Sequence, residues 1–202
     1  MADADIPTLE FWYDFASPYS YISAYRIERM ISGHSIKLVW RPFLLGPIFK
    51  KLSDDASPFQ RASPAERRYR RRDIERLCTA YQIPLVWPSN YPRGSLPATR
   101  IAMIAANEGW CGAFSRSVYK ANYADDLDIA DKSVLADVLS SLGRNAVQIL
   151  EKAETVEVKS ELAQQVDRAI STGIFGAPSF LICGELFWGN DRLEQAIAWT
   201  RT

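Results

Sequence analysis

Along Thr8 to Asp14 apolar and polar side chains alternate, with Leu9, Phe11 and Tyr13 on one side and Glu10, Trp12 and Asp14 on the other. A period of two with aromatic enrichment predicts a β-strand. Ser17-Pro18 follows at once, a preferred N-cap residue ahead of proline at the first helical position. A helix is therefore expected from Pro18 to about Ile31, stopped by Gly33. Ile36 to Phe43 alternates again and predicts a second strand. A strand, a helix of about four turns and a strand make a right-handed βαβ unit with parallel strands.

From Leu44 to about Ala169 no strand pattern stands out, and helix formers with periodic apolar positions dominate. Ser63-Pro64 starts a helix that runs to about Tyr81, and another begins near Pro97 and carries Ile101, Met103, Ile104 and Ala105. Further helices are expected at Cys111 to Tyr123, Asp131 to Leu142, Arg144 to Ala153 and Thr155 to Ile170, while Pro84, Pro88, Pro92 and Pro97 punctuate the loop between the first two. Strand patterning returns at Ser179 to Cys183, where Cys183 reads as a small buried hydrophobe. Gly184-Glu185 reads as a two-residue turn, Leu186 to Trp188 as the returning strand, and Asn190 as N-cap of a last helix with Leu193, Ile197 and Trp199. The order βαβ, helices, ββα predicts an α/β thioredoxin-like fold with a large all-helical insertion. The expected division is 1–45 with 170–202 as a discontinuous thioredoxin-like domain and 46–169 as the inserted one.

At 202 residues, 48% hydrophobic and 12% aromatic, the chain can bury a sizeable core. Zero net charge gives no global reason to expect nucleic acid or membrane as a partner. Met1 to Glu10 has neither the basic start nor the apolar stretch of a secretory signal, so a cytoplasmic location is expected. Cys78, Cys111 and Cys183 are odd in number and far apart, which argues against a disulfide framework. No cluster has zinc-ligand spacing, so no metal is expected, and His34, the only histidine, lies in a turn-like Ser-Gly-His-Ser stretch that does not suit a catalytic triad. The arginines at 67, 68, 70, 71, 72 and 76 alternate with Glu66, Asp73 and Glu75 and read as a solvated helix face with internal ion pairs.

Four segments together resemble 2-hydroxychromene-2-carboxylate isomerases and the kappa class of glutathione transferases, thioredoxin-like proteins related to the DsbA oxidoreductases. They are Asp14-Phe15-x-Ser17-Pro18-Tyr19-Ser20-Tyr21, Arg41-Pro42-Phe43-Leu44-Leu45-Gly46, Gly173-x-Phe175-Gly176-x-Pro178 and Phe187-Trp188-Gly189-Asn190-Asp191-Arg192-Leu193. The similarity runs from about Leu9 to Trp199. It implies glutathione as cofactor, an aromatic small-molecule substrate and a homodimer. Ser17 stands where a redox enzyme has its cysteine and Ser20 where the resolving cysteine would fall, so disulfide exchange is disfavoured.

The nucleophile in thiol chemistry is the thiolate, and a helix N-terminus favours an anion beside it. The Ser17 hydroxyl at that helix tip can donate to the sulfur of a bound glutathione. Pro178 is expected to be cis, with the backbone of Ala177 pairing with the cysteinyl part in the manner of an added strand. The resemblance gives Asn190 and Asp191 the γ-glutamyl end. Lys50 or Lys51 could steer a substrate carboxylate, and Asn90 and Tyr91 could line the pocket. Two departures from the family pattern stand out: Glu66 occupies a place where relatives often have lysine, and the stretch from Lys51 to Asp55 lacks an asparagine. The expected activity is a glutathione-dependent isomerisation of 2-hydroxychromene-2-carboxylate-type substrates to the trans-alkene pyruvate. The alternatives are a kappa-like transferase or peroxidase acting on electrophiles, and a non-catalytic thioredoxin-like binding module.

Overall fold

The computed structural model describes residues 6–53 and 61–199, and the side chains of Leu52 and Ser53 lie outside that description. β1 (Thr8–Tyr13), α1 (Pro18–Ile31) and β2 (Lys37–Pro42) form the expected βαβ unit, with β1 and β2 parallel and Phe11 opposite Trp40. Strands β3 (Ser179–Ile182) and β4 (Glu185–Trp188) return antiparallel, giving the order β2-β1-β3-β4. Between them lie α2 (Leu45–Ser53), α3 (Pro64–Tyr81), α4 (Leu96–Asn107), α5 (Cys111–Tyr123), α6 (Lys132–Ser141), α7 (Ala146–Lys152) and α8 (Val156–Ser171). A single turn at Asn190–Arg192 and a short α9 (Leu193–Ala198) close the chain.

The alternation in β1 does not separate a buried from a wet face, because both sides are covered. Phe11 and Tyr13 pack on Trp40, Phe15 and, from α5, Tyr119. On the other side Glu10 is buried, accepts Trp12 Nε1 at 3.1 Å, and pairs with Arg41 at 2.7 Å and with Arg168 of α8 at 2.6 Å. Past the exposed Thr8, this central strand is covered on both edges and both faces, and its one charge is met by two arginines. One continuous cluster of buried side chains runs from this strand into α1, α4, α5 and α8.

Three readings at the ends of elements need correction. The turn after β3 is Cys183-Gly184, with φ of +49° and +80°, one residue earlier than expected. Two successive left-handed residues are what a tight hairpin requires. Cys183 is consequently exposed, and not a buried hydrophobe. Asn190 does not cap α9: its side chain is buried and turned toward α1, and no side-chain cap bond forms at that helix start. Helix α2 was not anticipated as a separate element. The arginine-rich face of α3 carries the ion pairs Arg71–Glu75, Arg72–Glu75 and Arg76–Asp73. Among the described residues no helix is long and apolar enough to cross a membrane.

Candidate active site at the tip of the first helix

Ser17 ends the β1–α1 loop and caps α1, its Oγ accepting the Ser20 N–H at 3.2 Å. The same hydroxyl donates to the carbonyl oxygen of Ala177 at 2.9 Å, bridging 160 residues of sequence. Ala177–Pro178 is cis, as expected, and so is Tyr91–Pro92, which the sequence did not announce. The two end segments of the chain thus meet at one hydroxyl. Among the described residues the Ala177 N–H has no protein acceptor, and Ala177 is half-buried, so a backbone donor open to a ligand stands in the same residue whose carbonyl Ser17 holds.

The loop before Ser17 is held from two directions. Asp14 is buried, with Oδ1 accepting the Ala16 N–H at 2.9 Å and Oδ2 accepting the Leu45 N–H of α2 at 2.8 Å. Burial pushes its pKa up, against the opposing effect of the Leu45, Ala16 and Ser95 hydrogen bonds. From the other side α5 supplies three donors to three successive carbonyls: Tyr119 Oη to Asp14 at 3.0 Å, Asn122 Nδ2 to Phe15 at 3.1 Å and Tyr123 Oη to Ala16 at 2.8 Å. The buried Arg93 in turn donates Nη1 to the Asn122 carbonyl at 3.0 Å and to its Oδ1 at 3.1 Å, which fixes the amide so that Nδ2 faces Phe15.

Asn190 lies on the adjoining loop, tied to the proline corner by the Gly189 N–H to Pro178 carbonyl bond of 3.0 Å. Its Oδ1 accepts Ser23 Oγ and Arg26 Nη1, each at 3.0 Å. Both lone pairs of that oxygen are filled from α1, so only the Nδ2 donor remains available to a ligand. Arg26 is buried, pairs with Glu194 and lies over the Tyr81 ring at 3.8 Å. Asp191, one residue on, projects into solvent beside Arg192 at 3.6 Å.

The other candidates are less closely gathered. Lys50 and Lys51 are exposed on the last turn of α2, about 8 Å along the helix from the amide that Asp14 holds. Tyr91 is half-buried near Asp14, and its pKa is pushed up to about 12 by burial first and the Asp14 charge second. Its ring lies 5.0 Å from Trp87. Asn90 beside it is exposed. Glu66 closes a capping box with Ser63 at the start of α3, its Oε2 accepting the Ser63 N–H at 2.7 Å. That hydrogen bond, with the Ser63 hydroxyl and Arg70 adding to it, lowers its pKa. In the other departure, Lys51 to Ser53 end α2, and Asp54 and Asp55 lie outside the described residues. Phe175 and Trp188 form an exposed aromatic pair at 4.8 Å beside the proline corner, and a Cβ on Gly176 would collide with the Trp188 indole.

Asp14, Arg26, Arg93, Tyr119, Asn122 and Tyr123 were not picked out as site residues from sequence. The spacing of Tyr119, Asn122 and Tyr123 places them on one face of α5, and three polar tips sharing a face with buried neighbours is the signal that was there to read.

The DSBA-like thioredoxin domain family matches residues 8–197, and the chain belongs to that family. A 2-hydroxychromene-2-carboxylate isomerase of Sphingobium xenophagum is 25% identical, over 93% of this chain and 94% of that one. Glutathione S-transferase kappa 1 of Homo sapiens is 27% identical, over 93% and 88%. A solved structure of a 2-hydroxychromene-2-carboxylate isomerase superposes with a TM-score of 0.87 at 23% identity, over 96% of this chain and 94% of its own. The similarity is therefore to isomerases and kappa transferases along almost the whole chain, and the fold is the DsbA-like one.

Proposed function

We propose that this chain is a glutathione-dependent isomerase that converts 2-hydroxychromene-2-carboxylate-type substrates to trans-o-hydroxybenzylidenepyruvate. The observation that carries the reading is the Ser17 hydroxyl at the tip of α1, 2.9 Å from the cis-proline corner, with no cysteine at either redox position. The residues present suit glutathione: the unpaired Ala177 N–H matches a peptide-like cysteinyl unit, and Asn190 is left with only its donor, which matches the γ-glutamyl carboxylate. Asp191, exposed beside it, suits the ammonium group.

Bound glutathione supplies a sulfur nucleophile that adds to the conjugated substrate and departs after bond rotation, with no net redox change. The chain's part is to hold that sulfur as an anion. Ser17 has one proton to give, and in this state it goes to the Ala177 carbonyl. Turning that proton to the sulfur exchanges a neutral acceptor for a charged one, and a charge-assisted bond contributes about 1.5–3 kcal/mol. That corresponds to roughly one to two pKa units on the thiol. The amides opening α1 add to the effect through the helix dipole. Lys50 and Lys51 supply positive charge for the substrate carboxylate, and Asn90 and Tyr91 line its approach. The Phe175–Trp188 pair offers an apolar surface suited to an aromatic substrate. A homodimer in the cytoplasm serving aromatic breakdown is the setting this reading implies.

The test is turnover of 2-hydroxychromene-2-carboxylate followed by absorbance, with and without glutathione. Full activity after complete removal of thiols rejects the mechanism. The similarity to kappa transferases favours one competing reading, a transferase acting on electrophiles. Stoichiometric loss of glutathione with an aryl halide, and none during isomerisation, separates the two.

A further inference from the structure

The three donors from α5 act on peptide groups, and those groups lead directly into Ser17. The carbonyls of residues 14, 15 and 16 accept from Tyr119, Asn122 and Tyr123. The amide of Ala16 is taken by Asp14 Oδ1, and the amide of Ser17 by the Asp14 carbonyl at 3.0 Å. The peptides joining Phe15 to Ala16 and Ala16 to Ser17 are therefore gripped at both their oxygen and their nitrogen. A connection between a strand and a helix is ordinarily the mobile part of a fold, and this one has no such freedom.

We infer that Tyr119, Asn122 and Tyr123 are positioning residues: by fixing these peptide planes they aim the Ser17 hydroxyl and the open amides of α1 at the sulfur of a bound thiol. The inference rests on the glutathione reading above. The physical demand is one of aim. Hydrogen bonds weaken steeply once the donor angle falls toward 120°, and a misplacement of about 1 Å at a reacting group costs about 100-fold in rate. Ser17 has to keep accepting the Ser20 amide while its one proton turns from the Ala177 carbonyl to the incoming sulfur. Only a small displacement of its backbone is compatible with both acceptor positions.

The chemistry of the donors supports the assignment. Burial raises the pKa of both Tyr119 and Tyr123 well above 10, so both stay protonated and donating wherever the enzyme would work. Asn122 is held by Arg93 with its NH₂ toward the loop. The Tyr123 ring is also stacked on Tyr21 at 5.2 Å, so removing only its hydroxyl leaves the packing in place and isolates the bond to Ala16. The helical insertion is thus a working part of the site, acting through main-chain oxygens.

The experiment compares the wild type with Tyr123→Phe and Tyr119→Phe. Each protein is saturated with glutathione and its thiolate absorbance is titrated with pH, alongside turnover and thermal unfolding. The expected result in either variant is a bound-thiol pKa higher by about one unit, a kcat lower by about tenfold and a glutathione KM changed by less than about twofold. Raising the pH should restore the lost rate, because it regenerates the thiolate. Loss of thermal stability with unchanged thiol pKa and unchanged kcat in both variants would overturn the inference and leave the clamp a packing feature. A wild type that shows no thiolate signal with glutathione would instead reject the glutathione reading itself, a failure visible before any variant is made.

Discussion

Ser17 and Ala177 stand 160 positions apart in the chain and 2.9 Å apart in the fold, joined by a hydroxyl that donates to a carbonyl. Replacing Ser17 with alanine removes that bond, the helix cap and the proposed contact to sulfur together. The expected outcome is a bound-thiol pKa higher by roughly one to two units and a stability loss of about 1 kcal/mol from the missing cap. A pH profile of kcat/KM with urea unfolding in parallel separates the two effects. An unchanged profile would remove Ser17 from the chemistry.

Asn190 is expected to matter for affinity more than for turnover. Asn190→Ala leaves Arg26 and Ser23 without their shared acceptor in a buried place, which costs about 1–3 kcal/mol. It also deletes the donor left for a carboxylate. Glutathione KM should rise about tenfold or more with a smaller change in kcat, as steady-state kinetics over a range of glutathione will read.

The thiols should divide by burial. Cys78 and Cys111 are buried and their pKa values are pushed up to about 11. Cys183 is exposed in the β-turn. Alkylation of the native protein near neutral pH should therefore label Cys183 alone, and mass spectrometry after denaturation should find all three. Native labelling of Cys111 would contradict the packing of β1 against α5.

Alkali should destabilise the fold through the same groups. The folded pKa of Cys78 and of Cys111 lies at about 11 against an ordinary 9.0, and that of Tyr91 at about 12 against 10.0. Each is raised in the folded state, so its contribution is whole below the unfolded value and is lost as pH climbs toward the folded one. Unfolding free energy from urea titrations should stay level to about pH 9 and then fall steadily through about pH 11. A flat response across that window would mean these groups are hydrated.

Gly176→Ala drives a Cβ into the Trp188 indole. Overpacking of this kind costs about 1–3 kcal/mol, and here it would shift the corner that carries Ala177. Because Trp188 is 53% exposed, truncating it should relieve the clash. The double variant Gly176→Ala with Trp188→Ala should recover stability relative to Gly176→Ala alone, which a double-mutant cycle by thermal unfolding measures.

Local signals carried much of this molecule. Ser17-Pro18 marked the start of α1, and alternation marked β1 and β2 within one or two residues. Ser63-Pro64 marked the start of α3, while Glu66, which closes the capping box there, was legible only as a departure in charge. What stayed hidden depends on residues far apart in sequence. Tyr119 and Tyr123 reach carbonyls 105 and 107 positions earlier, and no periodicity encodes which carbonyl a side-chain tip will meet. Cys183 was misplaced because a strand ending and a left-handed turn position look alike when the residue is small and apolar. Asn190 was read from its local role as a cap, and the buried Arg26 and Ser23 claimed its oxygen instead.

Since the grip on the β1–α1 loop is exerted on main-chain oxygens and nitrogens, it is blind to the side chain at position 17. A sulfur atom in place of the Ser17 oxygen would meet the same helix tip and the same carbonyl. Under the isomerase reading, electron-transferring and electron-neutral chemistry are separated in this scaffold by oxygen in place of sulfur at Ser17 and Ser20, and the framework itself is neutral between them.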